Sequence, residues 1–204
     1  MTNPDITLNL NGFTDIPNGK VANIATYLEM TAKPALVPAN ATGLTLERMD
    51  PPVLTRYRAI FHAVGEPWLW FSRLTKSDEW VEAAISRPGI EVFVARHDDD
   101  DVGLLELDVR EPKNIELAYF GLIERMVGTG ASHWLMNEAV NRAFDHHHTD
   151  RMFVHTCTMD HPAALNFYMK NGFVAYKRAV EIDDDPRLSG HVRRMAGPHH
   201  PVIE

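Results

Sequence analysis

Residues 115–140 read IELAYFGLIERMVGTGASHWLMNEAV, and this stretch decides the fold class. An alternating strand runs into Arg125-Met-Val-Gly128-Thr-Gly130-Ala131, and an amphipathic helix begins at once. It carries Leu135, Met136, Ala139, Val140, Ala143 and Phe144 on one face at helical spacing. Glycines let the backbone turn tightly and leave its N–H groups open. The helix N-terminus adds unsatisfied donors and a partial positive charge, so such a turn attracts a pyrophosphate. It is not the dinucleotide fingerprint, because the third glycine is missing and the strands before it read as antiparallel. Nor is it a Walker loop, which needs Lys-Ser/Thr after the second glycine.

Toward the C-terminus the pattern gives a strand over 151–158, a helix over 161–170 closed by Gly172, and strands over 173–182 and 190–196. Toward the N-terminus, EVFVAR and VGLLELDV flank the acidic run Asp98–Asp101, which reads as a hairpin and its solvated loop. The segment DEWVEAAI is a helix capped by Ser77 and Asp78. Before it stands the aromatic cluster GEPWLWFSRL, with Trp68, Trp70 and Phe71. Pro51–Pro52 open a helix that runs to about Val64, and LTLERM alternates like a strand. TAKPALVPANATG is an extended linker, VANIATYLEM is either a strand or a short helix, and the first 20 residues form an irregular arm. Antiparallel strands followed by a βαβ-like crossover give a mixed α/β (α+β) sheet.

The glycine turn resembles the R/Q-x-x-G-x-G/A motif of the GNAT acyltransferases. Asp160-His-Pro-Ala-Ala-Leu-Asn-Phe-Tyr168-Met-Lys-Asn-Gly172-Phe173 is similar to that family's second signature, A-x-x-x-Y-x-K-x-G-F. The two occur in family order, separated by a helix and a strand. The resemblance implies a GNAT fold, a central mixed and mostly antiparallel sheet flanked by helices, over 44–204. Residues 1–43 would then be an N-terminal extension, supplying an extra strand or a dimer arm. It also implies an acetyl-CoA co-substrate, or another short acyl-CoA. The pyrophosphate would lie at Arg125, Val127, Gly128, Thr129, Gly130 and Ala131, and the pantetheine arm at the backbone of Leu122 and Ile123. Two positions depart from the family pattern. Val127 stands where a basic residue is common, and His161 where Asn is common; His161 either touches the cofactor or simply lies near a helix N-terminus.

Transfer of an acyl group from a thioester to an amine needs a base, a polarised carbonyl and an acid for the departing thiolate. Tyr168 matches the family's general acid, and a phenol is protonated at neutral pH. Glu116 matches a glutamate that serves some members as general base. Alternation puts Glu116, Ala118 and Phe120 on one strand face and Ile115, Leu117 and Tyr119 on the other. His155 is a second candidate base. Cys157 reads as a strand residue rather than a nucleophile, and the His146–His148 and His199–His200 clusters as surface histidines rather than metal ligands. Tyr27, Trp68 and Trp70 are the candidate acceptor-site residues.

The chain has 204 residues, a formal net charge of −8 and one cysteine. That charge argues against nucleic-acid binding and suits a cationic acceptor. The absence of a long apolar run or a leader-like segment, with no disulfide to form, suggests a cytoplasmic protein away from the membrane. The expected activity is acetylation of a small-molecule amine by a protein that is a candidate homodimer. The rivals are a non-catalytic acyl-CoA sensor or scaffold and an enzyme acting on protein N-termini or lysines.

Overall fold

A computed structural model describes residues 7–39 and 42–204. Part of the N-terminal arm (residues 1–6) and two linker positions (40 and 41) lie outside the described residues. Seven strands form one sheet: β1 (Lys20–Met30), β2 (Leu44–Arg48), β3 (Ile90–His97), β4 (Asp100–Asp108), β5 (Asn114–Leu122), β6 (Arg151–Cys157) and β7 (Val174–Asp184). Their spatial order is β2-β3-β4-β5-β6-β1-β7. Every neighbouring pair is antiparallel except β5 with β6.

The segment the sequence left undecided, 21–30, is therefore a strand, and it lies inside the sheet rather than at its edge. Alternate residues Val21, Asn23 and Ala25 are buried, while Leu28 and Met30 close the opposite face. Burial on both faces erases the strict alternation that marks a half-exposed strand.

Helices α1 (Leu54–Gly65) and α2 (Asp78–Ile85) cover one face, burying Tyr57, Ile60, Phe61, Val81 and Ile85 against Val92, Val94 and Leu104. Ser77 caps α2, its hydroxyl accepting the Trp80 N–H at 3.2 Å. Helix α1 starts only after both prolines, since a residue preceding proline is pushed out of the helical region. On the opposite face, α3 (Ala131–Asn141) and α4 (Ala164–Lys170) bury Leu135, Met136, Ala139, Val140 and Tyr168. α3 continues into a single π-helical turn over Arg142–His146.

The strand expected over 190–196 is not formed. Residues 185–204 make irregular turns folded around Arg187, which is 5% exposed and paired with buried Asp185 at 2.7 Å. The Arg187 guanidinium also donates to the carbonyls of Ala196 and His200 at 3.2 and 2.8 Å. Val192 and Ala196 pack on Leu69 and Met159, so the segment braces the loop between α1 and α2. Arg193 adds an ion pair with Glu66.

Candidate active site

β5 and β6 are in register at only three positions, Asn114–Arg151, Ile115–Met152 and Glu116–Phe153. Beyond Glu116 the strands part, and the gap between them is where the candidate residues meet. The glycine turn stands at the far end of β5. Gly128 and Gly130 have φ of +81° and +93°, a left-handed backbone that L side chains rarely adopt. Among the described residues, no acceptor reaches the N–H groups of Gly128, Thr129 or Gly130. A Cβ built on Gly128 would meet nothing within 4 Å, so the ground in front of these donors is open. The Thr129 hydroxyl instead fixes the turn, donating to the Met126 carbonyl at 2.8 Å. Three free amides at the start of α3 form an anion cradle of the kind a pyrophosphate requires.

Two expectations need correction here. The Arg125 guanidinium does not face this cradle; it pairs with Asp100 on the β3–β4 hairpin at 2.5 Å. The Ile123 N–H is engaged with the Val102 carbonyl of β4 at 2.9 Å. Gly103 and Leu122 then form a non-hydrogen-bonded pair, which turns the N–H and C=O of Leu122 away from β4 and toward the gap. Leu122 thus offers its backbone to a ligand in the gap, whereas Ile123 has its amide closed. Val127 is exposed beside the turn, and Ala131 is buried as the first residue of α3.

The face assignment on β5 also changes. Leu107 pairs with Leu117, but Glu106 pairs with Tyr119, so Ala118 is an extra, bulged residue. An inserted residue reverses the facing of everything beyond it. Phe120 consequently joins Leu117 in the core beneath α3 and α4, while Tyr119 joins Glu116 on the α1–α2 side. No glycine or proline announces this bulge in the sequence.

Glu116 and His155 face one another where the strands part, Oε1 to Nδ1 at 3.8 Å, with side chains 32% and 46% exposed. Burial raises the Glu116 carboxyl above the usual range, and the nearby His155 partly offsets that rise. Tyr27 of β1 lies opposite His155, ring centroids 5.4 Å apart. Tyr168 comes from the other side of the sheet, on α4. Its phenol is 7% exposed, and burial pushes its pKa well above the ordinary phenol value, with Asp160 adding to the rise. No hydrogen bond is made by the Tyr168 hydroxyl among the described residues.

The remaining candidates are less central. Trp70 is wedged between Phe61 and Tyr119, with centroids 5.6 Å from each, and its Nε1 donates to Asp160 at 3.0 Å. Trp68 lies apart from it, against His161 at 4.7 Å and His199 at 5.5 Å. Phe71 packs on the cluster of Leu69, Met159, Val192 and Ala196, under the C-terminal segment. The aromatics of this loop therefore form no single pocket. His161 stands just ahead of α4, its Nδ1 accepting the Ala163 N–H at 3.0 Å. Cys157 is half-buried with its thiol pushed up to about 12 by burial, a poor nucleophile. Among the histidine clusters, His147 meets Glu91 at 3.1 Å and His199 meets the Met159 carbonyl at 2.9 Å.

Sequence reasoning missed two carboxylates that organise the site. Asp160 accepts from Trp70, from Thr156 at 2.7 Å and from the Cys157 amide at 2.8 Å, tying the α1–α2 loop to the end of β6. Glu106 is 1% exposed; Tyr57 and Arg73 each donate to it at 2.7 Å. An acid set among the leucines of VGLLEL was the available signal for Glu106. Asp160 sits in an ordinary turn and gave none.

The model of the acetyltransferase (GNAT) family matches residues 57–173. An L-amino acid N-acetyltransferase of Escherichia coli K12 is 32% identical over 124 residues, 57% of this chain and 76% of that protein. The chain belongs to the GNAT acetyltransferase family. As such it is an N-acetyltransferase, and its acetyl donor is acetyl-CoA. Solved structures agree on the fold. A GCN5-related N-acetyltransferase from Sphaerobacter thermophilus aligns with a TM-score of 0.59 at 15% identity, over 80% of this chain and 52% of that one. The chain thus spans about half the length of that protein. A GNAT acetyltransferase from Elizabethkingia anophelis, solved with acetyl-CoA bound, aligns at 0.51 and 14% identity over 66% of this chain and 78% of its own. The free amides of the glycine turn and the open strand gap of this GNAT chain fit such a donor. No described helix is long and apolar enough to cross a membrane.

Proposed function

We propose that this enzyme acetylates the primary amine of a small molecule, with Glu116 as general base and Tyr168 as general acid. The observation that carries the proposal is the Glu116–His155 pair at the mouth of the strand gap, where burial holds a carboxylate closer to neutrality than usual. Such a carboxylate accepts a proton from an ammonium more readily than an exposed one. When bound, acetyl-CoA supplies a thioester with an electrophilic carbonyl. The Tyr168 hydroxyl, held protonated by burial and without a competing partner, donates to the departing sulfur. His155 tunes Glu116 or relays its proton, and Tyr27 walls the acceptor side.

The relative named for L-amino acids makes amino-acid-like amines the first acceptors to try. Thiol release from acetyl-CoA across a panel of amino acids, polyamines and peptides tests the reading, and turnover is expected with at least one small amine. Acetylation of peptides alone would favour a protein-directed enzyme. Tight acetyl-CoA binding with no turnover on any amine would return the sensor reading.

A further inference from the structure

The face of β5 that carries Glu116 also carries Tyr119, and a cation stands over that ring. The Arg73 guanidinium, from the loop between α1 and α2, lies 5.2 Å from the ring centroid of Tyr119 and 5.5 Å from that of Trp80. Its side chain is 13% exposed, and Nη2 donates to Glu106 at 2.7 Å. Nε is enclosed without a partner, and Nη1, the outer nitrogen, makes no hydrogen bond among the described residues. Glu106 and the Tyr57 hydroxyl behind it thus fix the fork while most of its five N–H donors stay unused. Beside the fork, the hydroxyls of Ser72 and Tyr119 lie 2.6 Å apart. One of them donates in that bond, and the other keeps its proton for a third group. The transfer proposed above uses none of these side chains.

We infer that Arg73, with the Ser72–Tyr119 hydroxyl pair, binds the α-carboxylate of an amino-acid acceptor, a reading that rests on Glu116 receiving the acceptor's amine. The spacing suits this. Across the ladder, Glu106 pairs with Tyr119 and Asp108 with Glu116. Glu106 and Asp108 are alternate residues of β4, so the two pairs stand about 6.5–7 Å apart along the strands. An α-amino acid hydrogen-bonded through both its amine and its carboxylate needs about 7–9 Å between its partners. A polyamine would instead set a second cation against the guanidinium. Other cations near Glu116 are already committed. Arg110 is 43% exposed and held by both oxygens of Asp108, and Arg151 pairs with Glu29 while lying over Phe153. Arg73 is the more enclosed of the three, where charge is least screened by water.

The test compares each primary-amine protein amino acid with its own carboxamide as acceptor, in the wild type and in Arg73→Met. The wild type prefers the acid. In the variant the ratio of kcat/KM for acid over carboxamide falls by about 10–100-fold, chiefly through KM, the worth of a hydrogen bond to a charged group. A merely structural arginine would depress both acceptors alike, so an unchanged ratio overturns the inference. Arg73→Met leaves Glu106 as a buried charge without its partner. Should that variant misfold, Arg73→Met/Glu106→Gln removes both charges and is read the same way. Calorimetry of the same acid and carboxamide pairs on the CoA-loaded protein separates recognition from chemistry. Acid-selective binding that is lost with Arg73, without turnover, upholds the carboxylate site and overturns Glu116 and Tyr168 as base and acid. Turnover indifferent to the carboxylate overturns the carboxylate site alone.

Discussion

Glu116 Oε1 and His155 Nδ1 stand 3.8 Å apart, Glu116 at the last position where β5 and β6 are in register and His155 two residues beyond it. One residue further along β5, the gap is open. The pair thus joins the paired part of the sheet to the part that receives a ligand, and both side chains are set by backbone rather than by loops.

Replacing Glu116 with Gln is expected to lower kcat by about 10²–10⁴, the usual worth of a general base. In the wild type, kcat/KM rises with pH through the raised Glu116 pKa, because only the carboxylate is competent. That acid limb should vanish in the variant. In His155→Gln it should move to higher pH, because the imidazole charge that lowers the carboxyl pKa is gone. Unchanged profiles in both would remove the pair from the chemistry.

The same substitution should alter stability in the opposite sense. A carboxyl whose folded pKa is raised favours the folded state at low pH and penalises it as pH climbs past the unfolded value of 4.5. Glu116→Gln should therefore melt above the wild type at neutral pH, with the difference shrinking as the pH falls toward 4.5. Thermal melts at several pH values measure this directly.

Tyr168→Phe removes a hydroxyl that makes no hydrogen bond within the described chain. Little change in melting temperature is expected, with turnover lowered by about 10²-fold for loss of the acid. Acetyl-CoA affinity, read by calorimetry, should hold within a few fold.

Gly128 separates strain from charge. Ala at φ +81° costs about 1–2 kcal/mol but meets no neighbour, so Gly128→Ala should bind acetyl-CoA more weakly yet measurably. Gly128→Glu places an anion over the free amides and should abolish binding. Retained affinity in the Glu variant would mean the pyrophosphate lies elsewhere.

Arg187→Ala leaves Asp185 as a buried charge without its partner and orphans the carbonyls it binds, a loss of about 3–5 kcal/mol. The C-terminal segment should then become protease-sensitive, and the Trp68 environment should change in fluorescence. An intact segment would show that the arginine only decorates it.

Much of the candidate site's framework was legible in the sequence because glycine and tyrosine at fixed spacing leave a mark. The glycine turn, the strand bearing Glu116 and the buried Tyr168 were all visible. What escaped depends on neighbours distant in the chain. The Ala118 bulge is decided by pairing with Glu106 and Leu107, so simple alternation put Phe120 and Tyr119 on the wrong faces. Arg125 was read as a phosphate cation because its nearest competitor, Asp100, lies 25 residues away across a hairpin. The strand expected at 190–196 failed because buried Arg187 takes the backbone carbonyls around Ala196 as ligands.

The position of β1 has a consequence for how the chain reaches this structure. It pairs with Arg151–Cys157 on one side and Val174–Asp184 on the other, strands that follow it by more than a hundred residues. Such distant pairings close large loops and form late. While the polypeptide emerges from the ribosome, β1 waits without partners as β2 to β5 assemble, and β7 can only dock once β1 has seated. A shortened chain that lacks β1 would strand β7 and leave β6 as an open edge beside the cleft.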